Sequence, residues 1–88
     1  MAEALLVDDD PNQLRGLGEL VEREGFTTRR AATIAEARAL LLERVPDVVI
    51  TDLVLPDGSG LDLLKTLEEE SSKTQMVLVT GKIGRAHV

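Results

Sequence analysis

Three aspartates in a row, Asp8, Asp9 and Asp10, follow the apolar stretch Ala4-Leu5-Leu6-Val7 and run into Pro11. A fourth, Asp52, closes the run Val48-Val49-Ile50-Thr51, and Thr80 closes Met76-Val77-Leu78-Val79. Two carboxylates about 5 Å apart repel by about 3 kcal/mol at an effective dielectric of about 20, so acids gathered at the mouth of a core call for a counter-charge. Oxygen donors alone select a hard cation. Mg2+ fits best, because it keeps several waters and usually takes only one or two protein carboxylates. The chain has no cysteine, and its single histidine, His87, is isolated near the end, which argues against zinc or copper. Without a cation, mutual repulsion is expected to raise at least one aspartate pKa.

The elements that must position these groups follow from the apolar pattern. Residues 4–7 are too short a run for a buried helix and read as a strand. Asp10 and Pro11 make a helix start, with an acceptor at the N-cap and proline in the first helical position. Leu14, Leu17, Leu20 and Val21 continue at helical spacing, and Gly25 supplies the stop. Gly16 and Gly18 inside that helix weaken it by roughly 1 kcal/mol each relative to alanine. Residues 26–31 form a weaker strand, where Arg29 and Arg30 suggest an edge. Thr33-Ile34-Ala35-Glu36 is a capping box, so a second helix is expected over 34–45, ended by Pro46. Residues 47–51 read as a strand covered on both faces. A loop over 53–58 then leads to a third helix over 59–70, with Leu61, Leu64 and Leu67 turned inward. A polar loop at 71–75 precedes a fourth strand at 76–79.

Strands alternating with helices specify a parallel sheet with helices on its faces. In such a sheet, ligands bind beyond the carboxyl ends of the strands, where the strand order reverses. An order 2-1-3-4 would make the first and third strands neighbours, so that Asp8, Asp9 and Asp52 converge on one crevice and Thr80 adds a hydroxyl at its rim. Each part has a plainer reading. Helix capping accounts for Asp10, a lone Asp52 could be an N-cap, and Thr80 could close a turn. Asp57-Gly58-Ser59-Gly60 reads as turn and helix-start chemistry, because it lacks the spacing of a phosphate-binding loop. The combination at one end of one sheet is rarer than its parts.

The totals bound the function. The 88 residues suffice for one small domain, and 43% hydrophobic with 30% charged residues describes a soluble globular chain. Phe26 is the sole aromatic residue, so the core is aliphatic. A net charge of −6 argues against direct nucleic-acid binding or an anionic membrane surface. No apolar run approaches the roughly 20 residues of a membrane span, and the N-terminus lacks a signal-peptide pattern, which makes a cytoplasmic location the default.

The segments LLVDDDP, VVITDLVLPDGSGLDLL and MVLVTG resemble the receiver domain of two-component response regulators, in that family's order and spacing. The resemblance implies a flavodoxin-like, doubly wound parallel sheet. It implies phosphorelay signalling, in which Asp52 accepts a phosphoryl group from a histidine kinase or phosphotransfer protein. Asp9 would bind Mg2+ directly, Asp8 largely through water, and the Val54 backbone carbonyl would supply another ligand. Thr80 would be the switch hydroxyl, while Pro56 and Gly60 shape the loop behind the acceptor. A receiver is a signalling domain rather than an enzyme in its own right. The wording GSGLDLL and VLVTG is similar to receivers joined to transcription activators.

Two alternatives remain in view: an interaction-only receiver that never takes phosphate, and a phosphohydrolase with an aspartyl nucleophile. The latter would want a second aspartate two residues on, where this chain has Val54. The family pattern continues with a helix, a fifth strand ending in a lysine and a fifth helix; Lys82 does not match that lysine. IGRAHV, residues 83–88, back-translates into a common sequencing adapter, so residues 1–81 are expected to be receiver and residues 82–88 foreign. Resequencing the locus checks this: the expected result is different coding sequence after Gly81, and a natural stop codon right after Val88 contradicts it.

Overall fold

The computed structural model describes residues 2–69 and 73–79. The chain runs β1 (Glu3–Val7), α1 (Pro11–Arg23), β2 (Thr27–Ala31), α2 (Ile34–Glu43), β3 (Val48–Asp52), a ribbon of β4 (Val54–Leu55) and β5 (Gly58–Ser59), α3 (Leu61–Glu69) and β6 (Gln75–Val79). The main sheet is parallel in the order β2-β1-β3-β6, which is the expected 2-1-3-4 with the ribbon inserted before the last strand. The ribbon is antiparallel and occupies part of what the sequence suggested would be plain loop. The expected helix end at 70, Thr80, and the tail 82–88 with Lys82 and His87 lie outside the described residues.

Strand alternation sends successive side chains to opposite faces, and both faces are covered. Ala4 and Leu6 of β1 pack with Val21, Leu14, Leu17 and Phe26 on the α1 side. Leu5 and Val7 pack on the other side with Ile34, Ala37, Leu41, Leu63 and Leu67 of α2 and α3. Burying β1 on both faces is what makes its four apolar residues contiguous. The β2 edge position expected from its arginines is confirmed. At the other side, Val77 and Leu78 of β6 are exposed among the described residues.

The helix ends follow their capping chemistry. Asn12 N–H donates to Asp10 Oδ1 at 2.9 Å, so Asp10 is the N-cap of α1. Gly25, at φ 95°, ends it with its N–H on the Glu22 carbonyl. Thr33 Oγ1 accepts from Glu36 N–H at 3.1 Å, while the Glu36 carboxylate reaches back to Ala32 N–H rather than to that of Thr33. The helix closes at Glu43, short of the expected 45, because Arg44 is already extended at φ −165°.

Two inward faces differ from expectation. In α1, Leu20 is exposed, and the buried line runs through Leu14, Leu17, Gly18 and Val21. Gly18 faces the Arg30 guanidinium of β2, which a Cβ there would have to displace. In α3, Leu61 and Leu64 are exposed while Leu63 and Leu67 are buried. Gly60, just before α3, lies against the Asp52 carbonyl and the Thr51 side chain at the end of β3.

The amino end of the sheet carries an ion network. Glu3 accepts from Arg29 at 3.0 Å and from Arg44 Nε at 3.1 Å. Arg29 also donates to the carbonyls of Leu40 and Arg44 at 2.7 and 2.6 Å, closing the last turn of α2. The Arg44 hydrogen bond, helped by the charges of Arg29 and Arg44, holds the Glu3 carboxyl below its ordinary pKa against the opposing effect of burial.

A methyl group at residue 60 would stand 2.9 Å from Thr51 Oγ1 and closer still to the Asp52 carbonyl. Neither neighbour moves cheaply, because Thr51 is fully buried within β3. Gly60→Ala is therefore expected to destabilise the fold by about 1–3 kcal/mol, read from denaturant unfolding, with Gly16→Ala, where the added group meets nothing, as the neutral-to-stabilising control.

Candidate functional site

The register of the sheet builds the site. Val7 of β1 lies opposite Thr51 of β3, so the next residues, Asp8 and Asp52, leave neighbouring strands at the same level. The first helix departs to one face and α2 and α3 to the other, which places this level at the point where the winding reverses. Asp8 is also fixed from β2, since its N–H donates to the Ala31 carbonyl at 3.0 Å.

One carboxylate oxygen from each of Asp8, Asp9 and Asp52 lies within 4.8 Å of the others. Asp8 and Asp52 are buried and Asp9 is exposed. Asp8 Oδ1 accepts from Asp10 N–H at 2.9 Å, and Asp52 Oδ1 receives a longer contact from Val54 N–H at 3.4 Å. Asp10 turns its own carboxylate to α1 and stays out of the cluster. The three expected acids are thus together, and the fourth is a cap.

Burial is the main cause that pushes the Asp8 carboxyl above the ordinary carboxylate range; the Asp10 N–H opposes it, and the charges of Asp52, Asp9 and Asp10 add to it. The expected rise in an aspartate pKa is present, but desolvation leads and repulsion follows. An all-oxygen donor set, two members buried and one open to solvent, fits a hard cation that retains part of its water.

Val54 lies in β4 with its side chain exposed, two residues beyond Asp52. Two side-chain roles were not anticipated from the sequence. The Thr51 hydroxyl is buried and donates to the Asp52 carbonyl at 2.9 Å. Asp57, read from the sequence as turn chemistry, accepts from Ile34 N–H at 2.9 Å and Ala35 N–H at 3.1 Å. Those bonds, the Ile34 one foremost, hold its carboxyl below the ordinary range. No local pattern marks it, because its partners lie more than twenty residues upstream.

A doubly wound parallel sheet with an acidic cluster at its switch point defines a flavodoxin-like domain of the receiver type. The family profile of the response regulator receiver domain matches residues 4–88, and the chain belongs to that family: it is a receiver domain of two-component response regulators. It is 40% identical over 77 residues to the photosynthetic apparatus regulatory protein RegA of Rhodovulum sulfidophilum, covering 88% of this chain and 42% of RegA. It is 38% identical over 79 residues to the response regulator protein PilR of Pseudomonas aeruginosa, covering 90% of this chain and 18% of PilR. The chain therefore spans well under half the length of these curated relatives. Among solved structures it is similar to the MaeR response regulator bound to beryllium trifluoride, with a TM-score of 0.83 and 34% identity over 92% of this chain and 68% of that one. No helix among the described residues is long and apolar enough to cross a membrane.

The raised Asp8 pKa has a definite sign for stability. The folded chain holds the Asp8 proton more tightly than the unfolded chain, so the metal-free domain gains from acid. That contribution is full below the ordinary aspartate pKa of about 3.9 and is lost as pH rises through the raised folded value. Asp8→Asn keeps an oxygen for the Asp10 N–H and removes the charge. In EDTA it is expected to raise Tm relative to the unsubstituted chain at about pH 7 and to leave Tm unchanged at about pH 4. It is also expected to abolish the Tm increase produced by Mg2+.

Proposed function

We propose that this domain accepts a phosphoryl group on Asp52 from a sensor histidine kinase or phosphotransfer protein, with Mg2+ bound by Asp8, Asp9, Asp52 and the Val54 backbone carbonyl. The observation that carries this reading is the convergence of three carboxylates, two of them buried, at the carboxyl ends of adjacent parallel strands. In the transfer, an Asp52 carboxylate oxygen forms a bond to phosphorus as the donor's nitrogen–phosphorus bond breaks, leaving an acyl phosphate and a free imidazole. Carboxylate is a weak nucleophile, and bound Mg2+ supplies the positive charge that offsets the oxygens of the incoming phosphoryl group. Asp8 and Asp9 would hold that cation, and the β3 backbone fixes Asp52 beside them. Thr80 is assigned the switch hydroxyl, because a newly formed phosphoryl anion gives it an acceptor absent before transfer.

The wider setting belongs to the same proposal. The domain acts in the cytoplasm, does not itself bind nucleic acid or membrane, and controls an output domain outside this chain, with a transcription regulator as the favoured kind. A relative 36% identical over 78 residues, TcrX of Mycobacterium tuberculosis, is named a probable transcriptional regulatory protein, which supports that choice. Its chemistry is confined to its own phosphorylation and dephosphorylation. Residues 1–81 are assigned to the receiver segment and 82–88 to a foreign tail.

Incubation with acetyl phosphate and Mg2+ tests the reading. The expected result is one phosphoryl adduct by intact mass, absent in EDTA and absent in Asp52→Ala. A folded chain that takes no adduct would instead support the interaction-only alternative. Continuous turnover of added phosphate esters, lost in Asp52→Ala, would support the phosphohydrolase.

A further inference from the structure

The acceptor loop is anchored at one place remote from the acids. Asp57 sits at the turn between β4 and β5, and its two carboxylate oxygens take the N–H groups of Ile34 and Ala35, the first two residues of α2. Thr33 Oγ1 takes the next N–H, that of Glu36, and the Ala37 N–H closes the first intrahelical bond to the Thr33 carbonyl. Two of the otherwise unpaired donors of this helix end are therefore satisfied from another segment of the chain. A carboxylate there also meets the positive end of the helix dipole.

Packing repeats the connection independently. A Cβ at Gly58 would stand 2.9 Å from Ile34 Cδ1, so the ribbon approaches α2 as closely as a glycine permits, at a φ of 148° that side chains rarely adopt. Leu55 of β4 is buried in the same cluster as Ala31 and Ile34. The far side of the α2 start is tied to the acids as well, through the Asp8 N–H on the Ala31 carbonyl. The backbone thus forms a closed circuit from Asp8 to Ala31, across to Ile34, through Asp57 into the ribbon, and back along Val54 to Asp52.

We propose that Asp57 is a positioning residue for the phosphoryl-transfer site: by pinning the ribbon to the start of α2, it sets the Val54 backbone relative to Asp52. This rests on the reading of Asp8, Asp9, Asp52 and Val54 as the Mg2+ site. Its own carboxylate touches neither cation nor phosphate. When the pin is cut, the ribbon keeps its antiparallel pairing but loses its fixed distance from β1, and one donor to the cation becomes mobile.

The test compares Asp57→Ala, Asp57→Asn and Thr33→Ala in the full chain, reading Mg2+ affinity by calorimetry, Tm in EDTA, and the rate of labelling by acetyl phosphate. Thr33→Ala removes a cap from the same helix end without touching the ribbon, so it reports helix stability alone. Asp57→Ala is expected to weaken Mg2+ binding about 3- to 10-fold, at or below the low end of what losing a direct support of a metal ligand costs. Asp57→Asn, which keeps one acceptor oxygen, is expected to recover part of that loss. Thr33→Ala is expected to lower Tm and leave Mg2+ affinity as in the unsubstituted chain. Equal Mg2+ affinities in Asp57→Ala and Thr33→Ala would overturn the proposal, and if Asp57→Ala does not fold, the Asp57→Asn comparison decides in the same way. An unsubstituted, folded chain that neither binds Mg2+ nor labels on Asp52 would overturn the reading of the site itself, and the positioning role with it.

Discussion

Carboxylates from two adjacent parallel strands cannot avoid one another once the register is set, and much of this domain is arranged around that constraint. Asp8 and Asp52 leave β1 and β3 at one level because Val7 pairs with Thr51. Both are buried, so neither gains much from solvent, and the only exposed member of the cluster is Asp9. Among the described residues, the hydrogen bonds to the Asp8 and Asp52 carboxylates come from the backbone N–H groups of Asp10 and Val54, not from basic side chains. A backbone dipole offsets part of a negative charge and leaves the rest available to a cation. Close to the cluster, Gly60 lets the chain pass tightly over the end of β3, and Thr51 and Leu63 fill the space beneath.

The strand order and the acidic cluster were legible because they depend on contiguous, short-range signals. Apolar runs marked three of the four main strands, β1, β3 and β6, and an acid at the end of a buried run carries its position with it. The winding rules of parallel sheets then brought distant residues together without any knowledge of side-chain contacts. Asp10 was separable from its neighbours because an N-cap followed by proline has its own local grammar.

Other features were not legible, for reasons that are equally physical. Leu20, Leu61 and Leu64 have the composition of core residues but lie off the line that faces the sheet. Gly60 lies close against the end of β3, and a glycine announces such an approach only after its neighbour is known. Arg29 looked only like a mark of an edge strand, yet it reaches the carbonyls of Leu40 and Arg44 and the Glu3 carboxylate. Asp57 shows the same limit in sharper form. Its sequence neighbours, Pro56 and Gly58, explain a turn completely, and nothing in them indicates that the side chain serves a helix from an earlier part of the chain.

The Glu3–Arg29–Arg44 network gives the domain a polarity along its strands. At the amino end, one carboxylate meets two guanidinium groups, so its charge is more than matched. At the carboxyl end, three carboxylates stand without a basic side chain against them in the described ion pairs. On a chain of net charge −6, that cluster concentrates negative charge at this pole among the described residues. A dissolved cation that comes near this pole is therefore attracted to it. The arrival rate of ions at the domain, as distinct from their affinity once bound, falls with ionic strength because the pull reaches only about a Debye length.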